Sequence, residues 1–412
     1  MKFFRVQSVE NVMRLMETEI QPTTKVEEIP LQACLHRILA EDVTATEDVP
    51  SFTRSVVDGY AVNSKDTFGA SETLPAFLDC IGEVKMGKSI ERSLERGQTM
   101  YIPTGGMLPQ GSDSVVMIED CEAMEDVINV YRTVARNENI ISRGEDARLG
   151  DLLIPKGKRL RPQELGALAS LGKTSVTVKK QLTVGYLSSG DEIVPFQEKV
   201  IPVGKVRDVN GITIPSLAEG WGFKVKTASI ARDEFDDFYE KAKSLYEECD
   251  VLVISGGSSV GTRDYTTEVI ESLGDNEPGI LVHGISIKPG KPTIFSMSSG
   301  KPILGLPGHP ASAMIIFQLF GKKLLSLLQG EAKEGVKHTA TAVVSQNIPS
   351  APGRTDFIRV KLQEENGQYI AIPVLGKSGL VKTLVDSDGL LEIAEHKEGV
   401  NKGDSVTVHL FS

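Results

Sequence analysis

VLVISGGSSVGTRDY, residues 251–265, decides the architecture. Val251–Ile254 are apolar and mostly β-branched with no polar alternation, so they form a strand covered on both faces rather than one open to solvent. Ser255 ends that strand, and Gly256, Gly257 and Gly261 let backbone N–H groups turn toward a ligand. Asp264 follows at a helix entry, where it either caps the helix or serves the ligand. Outward from this segment, LTVGYL (182–187), FKVKTASI (223–230) and PILGL (302–306) repeat the buried-strand pattern. Helical periodicity over 234–247 and near 265–273 separates them. Strands joined by helices predict a doubly covered parallel sheet whose ligands sit at the strands' carboxyl ends.

Two more turns in that region suit anions. SIKPGKPTIF (286–295) sets Lys288 and Lys291 in a Pro-Gly-Pro frame, and GLPGHPASA (305–313) ends a strand at Pro307 and offers backbone donors near Gly308 and His309. Acidic turns stand against them: Asp58 in VVDGYA, Glu145 and Asp146 in GED, Asp191 and Glu192 in SSGDEI, and Asp233 in ARDE. Each taken alone is more often a turn or cap residue. Carboxylates and anion-binding turns share one site sensibly when a divalent cation such as Mg²⁺ bridges them. Thr104 in IPTGGMLPQG either donates to a ligand or closes its own turn, and Arg354 in SAPGRTDF either forks onto an oxyanion or forms a surface salt bridge.

The rest of the 412 residues frames this region. Ser8 caps an amphipathic helix in which Val9, Val12, Met13, Met16 and Ile20 recur at helical spacing, so residues 1–26 are expected to pack on the α/β domain. Short β-favouring runs punctuated by Gly, Pro and Asp make 45–143 a β-rich domain, with 27–44 and 144–178 as a linker domain, 179–330 as the α/β domain and 331–412 as a small C-terminal β-barrel of antiparallel strands. Pro162 suits a first helical turn and Gly172 a helix stop, whereas Pro215 is expected to delay or break the helix after DVNG. The apolar run 311–328 predicts a deeply buried or interfacial helix.

Composition removes several classes of function. Lys plus Arg number 45 against 56 Asp plus Glu, a formal net charge of −11, which opposes general attraction to nucleic acid or anionic lipid. Any bound anion therefore needs a local cationic pocket. Cys34, Cys80, Cys121 and Cys249 are widely spaced and the six histidines scattered, without a zinc or disulfide pattern. No secretory core or membrane span is legible, so a cytoplasmic location is expected. Without a legible Ser-His-Asp arrangement or Cys/His pair, metal-assisted phosphoanhydride chemistry fits better than acyl transfer.

In order along the chain, PSFTRSVVDGYAV, IPTGGMLPQGSDSVV, GED, SSGDEI, DVNG, ARDE, SGGSSVGTRDY, KPGKP, GLPGHPASA and APGRTDF resemble the MoeA-type molybdopterin molybdenumtransferases and the C-terminal domain of gephyrin. The resemblance implies a multidomain α/β plus β homodimer in which a MogA-like α/β domain meets the elongated β-rich domain of the partner. It also implies a reaction, in which adenylylated molybdopterin and molybdate give molybdenum cofactor and AMP with Mg²⁺ assisting. Further partners implied are the molybdopterin adenylyltransferase and downstream molybdoenzymes. By motif, Asp58, Thr104, Asp146, Glu192, Asp233 and Asp264 line the nucleotide side, with Asp58, Asp146 and Asp264 catalytic and Asp146, Glu192 and Asp264 holding the metal. Ser255, Gly256, Gly257, Ser258 and Pro307 join the binding surface, and Lys288, Lys291, Arg354 and Ser378 form its oxyanion side. His309 stands where the family commonly has Asn. A tungstate-inserting or molybdopterin-adenylylating paralogue, or a gephyrin-like scaffold, is the alternative reading.

Overall fold

The computed structural model describes residues 6–256, 265–332 and 338–411. Gly257, Ser258, Gly261 and Asp264 lie outside them.

The first helix, α1 (Val9–Glu19), begins where Ser8 Oγ accepts the Asn11 N–H, and its Val12 and Met16 are fully buried in the α/β core. After it, residues 34–45 and 147–178 share one small core, while two further cores lie within 60–134 and 61–140, around a six-stranded sheet. Arg159 ties the former module to the α/β region through a two-pronged pair with Glu331, at 2.8 and 2.7 Å. That pair holds the Glu331 carboxyl below its ordinary value against the raising effect of burial.

The α/β region contains β1 (Thr183–Ser188), β2 (Lys224–Thr227), β3 (Val251–Ser255), β4 (Pro278–His283), the short β5 (Ile287–Lys288), β6 (Ile294–Ser298) and β7 (Lys301–Leu306). Its sheet runs in the order β2-β1-β3-β7-β6-β4. β2, β1, β3 and β7 are parallel, as the uninterrupted apolar runs require, but β6 runs antiparallel to both its neighbours, β7 and β4. The reversal arises at Ser299–Gly300, where both residues have positive φ, the geometry of a two-residue hairpin.

Helix α2 (Asn210–Gly220) runs through Pro215 instead of being delayed or broken by it. Proline removes the bond to the Gly211 carbonyl, but Ile214 and Ala218 on either side are buried in the core, and that packing outweighs one lost bond. Helix α3 (Phe235–Glu248) covers the opposite face. Helix α4 (Pro310–Gln329) is long and apolar enough to cross a membrane, yet it is a core helix: Phe317 and Phe320 are fully buried, each worth roughly 1.5–3 kcal/mol. It contains one widened π turn at Phe317–Gly321.

The C-terminal strands β8 (Thr339–Val344), β9 (Thr355–Glu365), β10 (Gln368–Pro373), β11 (Gly389–Ile393) and β12 (Ser405–Leu410) close through a β9–β11 pairing into a barrel. It is mixed rather than purely antiparallel, because β8 and β10 pair in parallel. The α/β region adds β5 alongside the start of β9, pairing Ile287 with Thr355 and Lys288 with Asp356. This seam brings KPGKP against GRTDF.

Candidate active site

The carboxyl ends of β1, β3 and β7 are adjacent, so the turns after them meet. Ser189 N–H donates to Ser255 O at 2.9 Å, and Asn210 Nδ2 donates to Ser255 Oγ at 2.7 Å and to Gly308 O at 2.8 Å. Gly256 has φ +123, and a Cβ there would stand 2.1 Å from Ser189 O, so only glycine permits this approach. Among the described residues, Ser189 Oγ and Asn210 Oδ1 are buried and have no hydrogen-bond partner. Tyr186 and Ser188 hydroxyls pair at 2.9 Å beneath, and burial pushes the Tyr186 phenol well up, keeping it a proton donor. Ser255, Gly256 and Pro307 thus belong to one turn cluster, whereas Gly257 and Ser258 fall outside the described residues.

Across the β5–β9 seam lies a cavity of about 1070 Å³. Lys288, Lys291, Pro307, Arg354 and Ser378, drawn from four separate segments, all line it. Lys377, Arg359 and His309 join them, and no carboxylate is among the lining residues. In a chain of net charge −11, five lysine and arginine side chains on one concave wall create a focused positive field. Gly290 makes the lysine turn possible: its φ is +112, and a Cβ would lie 2.4 Å from Ile316 of α4.

Behind the wall, fully buried Asp356 accepts from Arg354 Nε at 2.8 Å, and Lys288 Nζ stands 3.9 Å from its other oxygen. Arg359, also buried, donates to Thr383 Oγ1 at 2.7 Å and Gly376 O at 2.9 Å; its burial lowers the guanidinium pKa. These bonds hold the 376–383 loop that carries Lys377 and Ser378. The same loop docks on the start of α4, where Ala311 N–H donates to Ser378 O at 3.0 Å and Ser378 Oγ lies 3.2 Å from His309 Nδ1.

The acidic candidates within the described residues, Asp58, Asp146, Glu192 and Asp233, are placed elsewhere, and none of these four lines the cavity. Thr104 donates both its N–H, at 2.7 Å, and its hydroxyl, at 3.1 Å, to Asp58 Oδ1. Asp146 is exposed, its N–H bonded to Val49 O. Asp233 and Asp191 each accept the other's backbone N–H, at 3.1 and 3.2 Å, fastening two loops together, and Glu192 is exposed beside them. Asp264 lies outside the described residues. Mg²⁺ takes several oxygen ligands, and among the described residues no group of three His, Cys, Asp or Glu is arranged to hold an ion. Asp146 and Glu192, the two metal candidates within the described residues, belong to no such group.

Asn210, Asp356, Arg359 and Lys377 were not singled out from the sequence. DVNG and APGRTDF contain the first two, but only burial distinguishes an asparagine or aspartate with a task from a turn residue.

Family models match along the chain. Residues 7–172 match the MoeA N-terminal region (domain I and II), 185–326 match "Probable molybdopterin binding domain", and 341–411 match the MoeA C-terminal region (domain IV). The Bacillus subtilis protein named molybdopterin molybdenumtransferase is 32% identical over 397 residues, covering 95% of this chain and 91% of its own. Two solved molybdopterin biosynthesis MoeA proteins from Pyrococcus horikoshii are 35% and 30% identical, with TM-scores of 0.77 and 0.85. Each alignment covers 99% of this chain and all of the other.

Proposed function

Because the chain belongs to the MoeA family of molybdenum cofactor biosynthesis, we propose that it inserts molybdenum from molybdate into adenylylated molybdopterin, yielding molybdenum cofactor and AMP. The observation that carries this reading is the cavity in which Lys288, Lys291, Arg354 and Ser378 converge without a carboxylate in its lining. A tetrahedral dianion needs cations and donors fixed before it arrives, so that their attraction is not spent on reorganising the site. Asp356 supplies that fixation by anchoring Arg354, and the β5–β9 seam holds the lysine turn at a set distance from it.

The nucleotide end fits the neighbouring turn cluster. Ser189 and Asn210 present buried oxygens there that have no partner among the described residues, at the carboxyl ends of parallel strands where phosphates commonly bind. Pro307 and His309 connect the two regions, since they follow β7 and also line the cavity. A ligand spanning both would place its dithiolene-bearing pterin near the oxyanion pocket.

Magnesium, when bound, supplies positive charge against the departing phosphate. Asp146, Glu192 and Asp264 are the residues we propose for it, along with Asp58, Thr104 and Asp233 on the nucleotide side. In this reading the protein acts as a homodimer in which a second copy contributes Asp58, Thr104 and Asp146. The molybdopterin adenylyltransferase is the proposed supplier of substrate and molybdoenzymes the recipients of product. The test is release of AMP from adenylylated molybdopterin: it should require both molybdate and Mg²⁺. No release with molybdate or tungstate would favour a scaffold, and release with tungstate alone would reassign the metal.

A further inference from the structure

The two arginines on the cavity wall stand in different electrostatic surroundings. Arg354 shares its charge with the fully buried Asp356, which also has Lys288 beside it, so one carboxylate already cancels part of that group. Arg359, farther along β9, is 8% exposed, yet among the described residues it forms no ion pair. Its Nη1 donates to Thr383 Oγ1 at 2.7 Å and its Nη2 to Gly376 O at 2.9 Å. Both acceptors are neutral dipoles, so they satisfy two donors and leave the charge uncompensated. A guanidinium carries five N–H groups, and the others on Arg359 have no partner among the described residues.

Placement ties this group to the cavity. Gly376 directly precedes Lys377 and Ser378 and lines the same wall, so the bond to its carbonyl sets the guanidinium beside the proposed oxyanion donors. Arginine cannot shed its proton to escape burial, and a buried charge is costly unless an anion faces it. Tethering the 376–383 loop calls for donors alone, which an uncharged side chain supplies without that cost. The charge itself is what the tether leaves unused, and the fork geometry of guanidinium matches the oxygens of a tetrahedral anion.

We propose that Arg359 is a binding residue for the oxyanion, its unpaired guanidinium supplying counter-charge and free N–H donors to a tetrahedral dianion lodged between the lysine turn and the 376–383 loop. This rests on the reading of the cavity as the molybdate site, and it adds a residue that no sequence motif singled out.

The experiment is calorimetric titration of the full chain with molybdate at one pH and ionic strength. Arg359→Met fills much of the same volume but removes the charge and the donors, and should raise the dissociation constant about tenfold, the worth of one charge-assisted hydrogen bond. Thr383→Val removes one tether bond and leaves the guanidinium in place, so it should change the constant by no more than about threefold. A rise of less than about fivefold in Arg359→Met would overturn the inference, and so would an equal loss in Thr383→Val, which would assign the effect to the loop. A measurement on the parent guards against a misfolded variant. In a crystal soaked with molybdate, a guanidinium nitrogen of Arg359 should stand about 2.7–3.2 Å from an anion oxygen. Molybdate bound in the cavity but beyond about 3.5 Å of that guanidinium would overturn the inference and leave the oxyanion reading intact. Absence of molybdate binding by the parent would refute that reading, and the inference with it.

Discussion

Removing Arg354 alone should harm the protein more than removing it together with Asp356. Asp356 is 0% exposed, its Oδ1 accepts from Arg354 Nε at 2.8 Å, and the other nearby cation, Lys288, is 3.9 Å away with a side chain 57% exposed. Arg354→Ala leaves a buried carboxylate facing one loosely held ammonium. Breaking a buried pair in this way typically costs about 3–5 kcal/mol, and because the Arg354 side chain is 37% exposed, water entering the gap brings the expectation to about 3 kcal/mol. Asp356→Asn in the same chain removes the stranded charge, so the double variant should lose only about 1 kcal/mol, roughly 2 kcal/mol less than Arg354→Ala alone. Differential scanning calorimetry resolves this, since about 3 kcal/mol in a small barrel lowers its melting temperature by on the order of 10 °C. If Arg354→Ala melts with the parent, or if the double variant is less stable than the single, Asp356 is not held by this pair. The cycle also separates functions, because oxyanion affinity should be lost in the single and double variants alike.

Gly290→Ala should cost roughly 2–4 kcal/mol, because φ is +112 and the new methyl would meet Ile316 at 2.4 Å; a soluble variant with parental melting would show that the lysine turn is not pinned to α4. Arg159→Met should cost roughly 2–3 kcal/mol by stranding Glu331, and should expose the junction between the N-terminal modules and the α/β region to limited proteolysis; an unchanged digestion pattern would refute that role. The hydrogen bond from Arg161 holds the Glu164 carboxyl at about 2, below the ordinary 4.5, so this contribution is complete above the unfolded value and is lost as pH falls toward about 2. Glu164→Gln should therefore destabilise at neutral pH, by about 1 kcal/mol as for a lost cap, and flatten the acid limb of a melting-temperature profile; a parallel limb would assign that loss to other carboxylates.

Local rules made parts of the structure legible. Uninterrupted apolar runs revealed β1, β3 and β7, because a strand buried on both faces leaves no polar alternation. Ser8 and Pro162 marked helix starts since orphan N–H groups and a fixed φ act within a few residues. Tertiary forces hid the rest. Pro215 sits mid-helix because Ile214 and Ala218 are anchored in the core, and β6 runs backwards because a two-residue turn sends it there. In the site, Lys288, Lys291, Arg354 and Ser378 were legible as basic or donor residues in rigid turns, and the fold brings them to one cavity. Asn210, Asp356 and Arg359 were not, since their tasks follow from burial and from partners distant in sequence. The acidic set was legible only as charged turns, since a turn motif supplies a carboxylate without saying what faces it; Asp58, Asp146, Glu192 and Asp233 do not line the cavity.

A crystal soaked in molybdate and measured at the molybdenum absorption edge tests the central claim most directly. The account predicts an anomalous peak inside the cavity, within bonding reach of Lys291, Arg354 and Ser378, that disappears in Arg354→Ala. A peak bound only elsewhere on the protein, or none in the cavity at saturating molybdate, would contradict it.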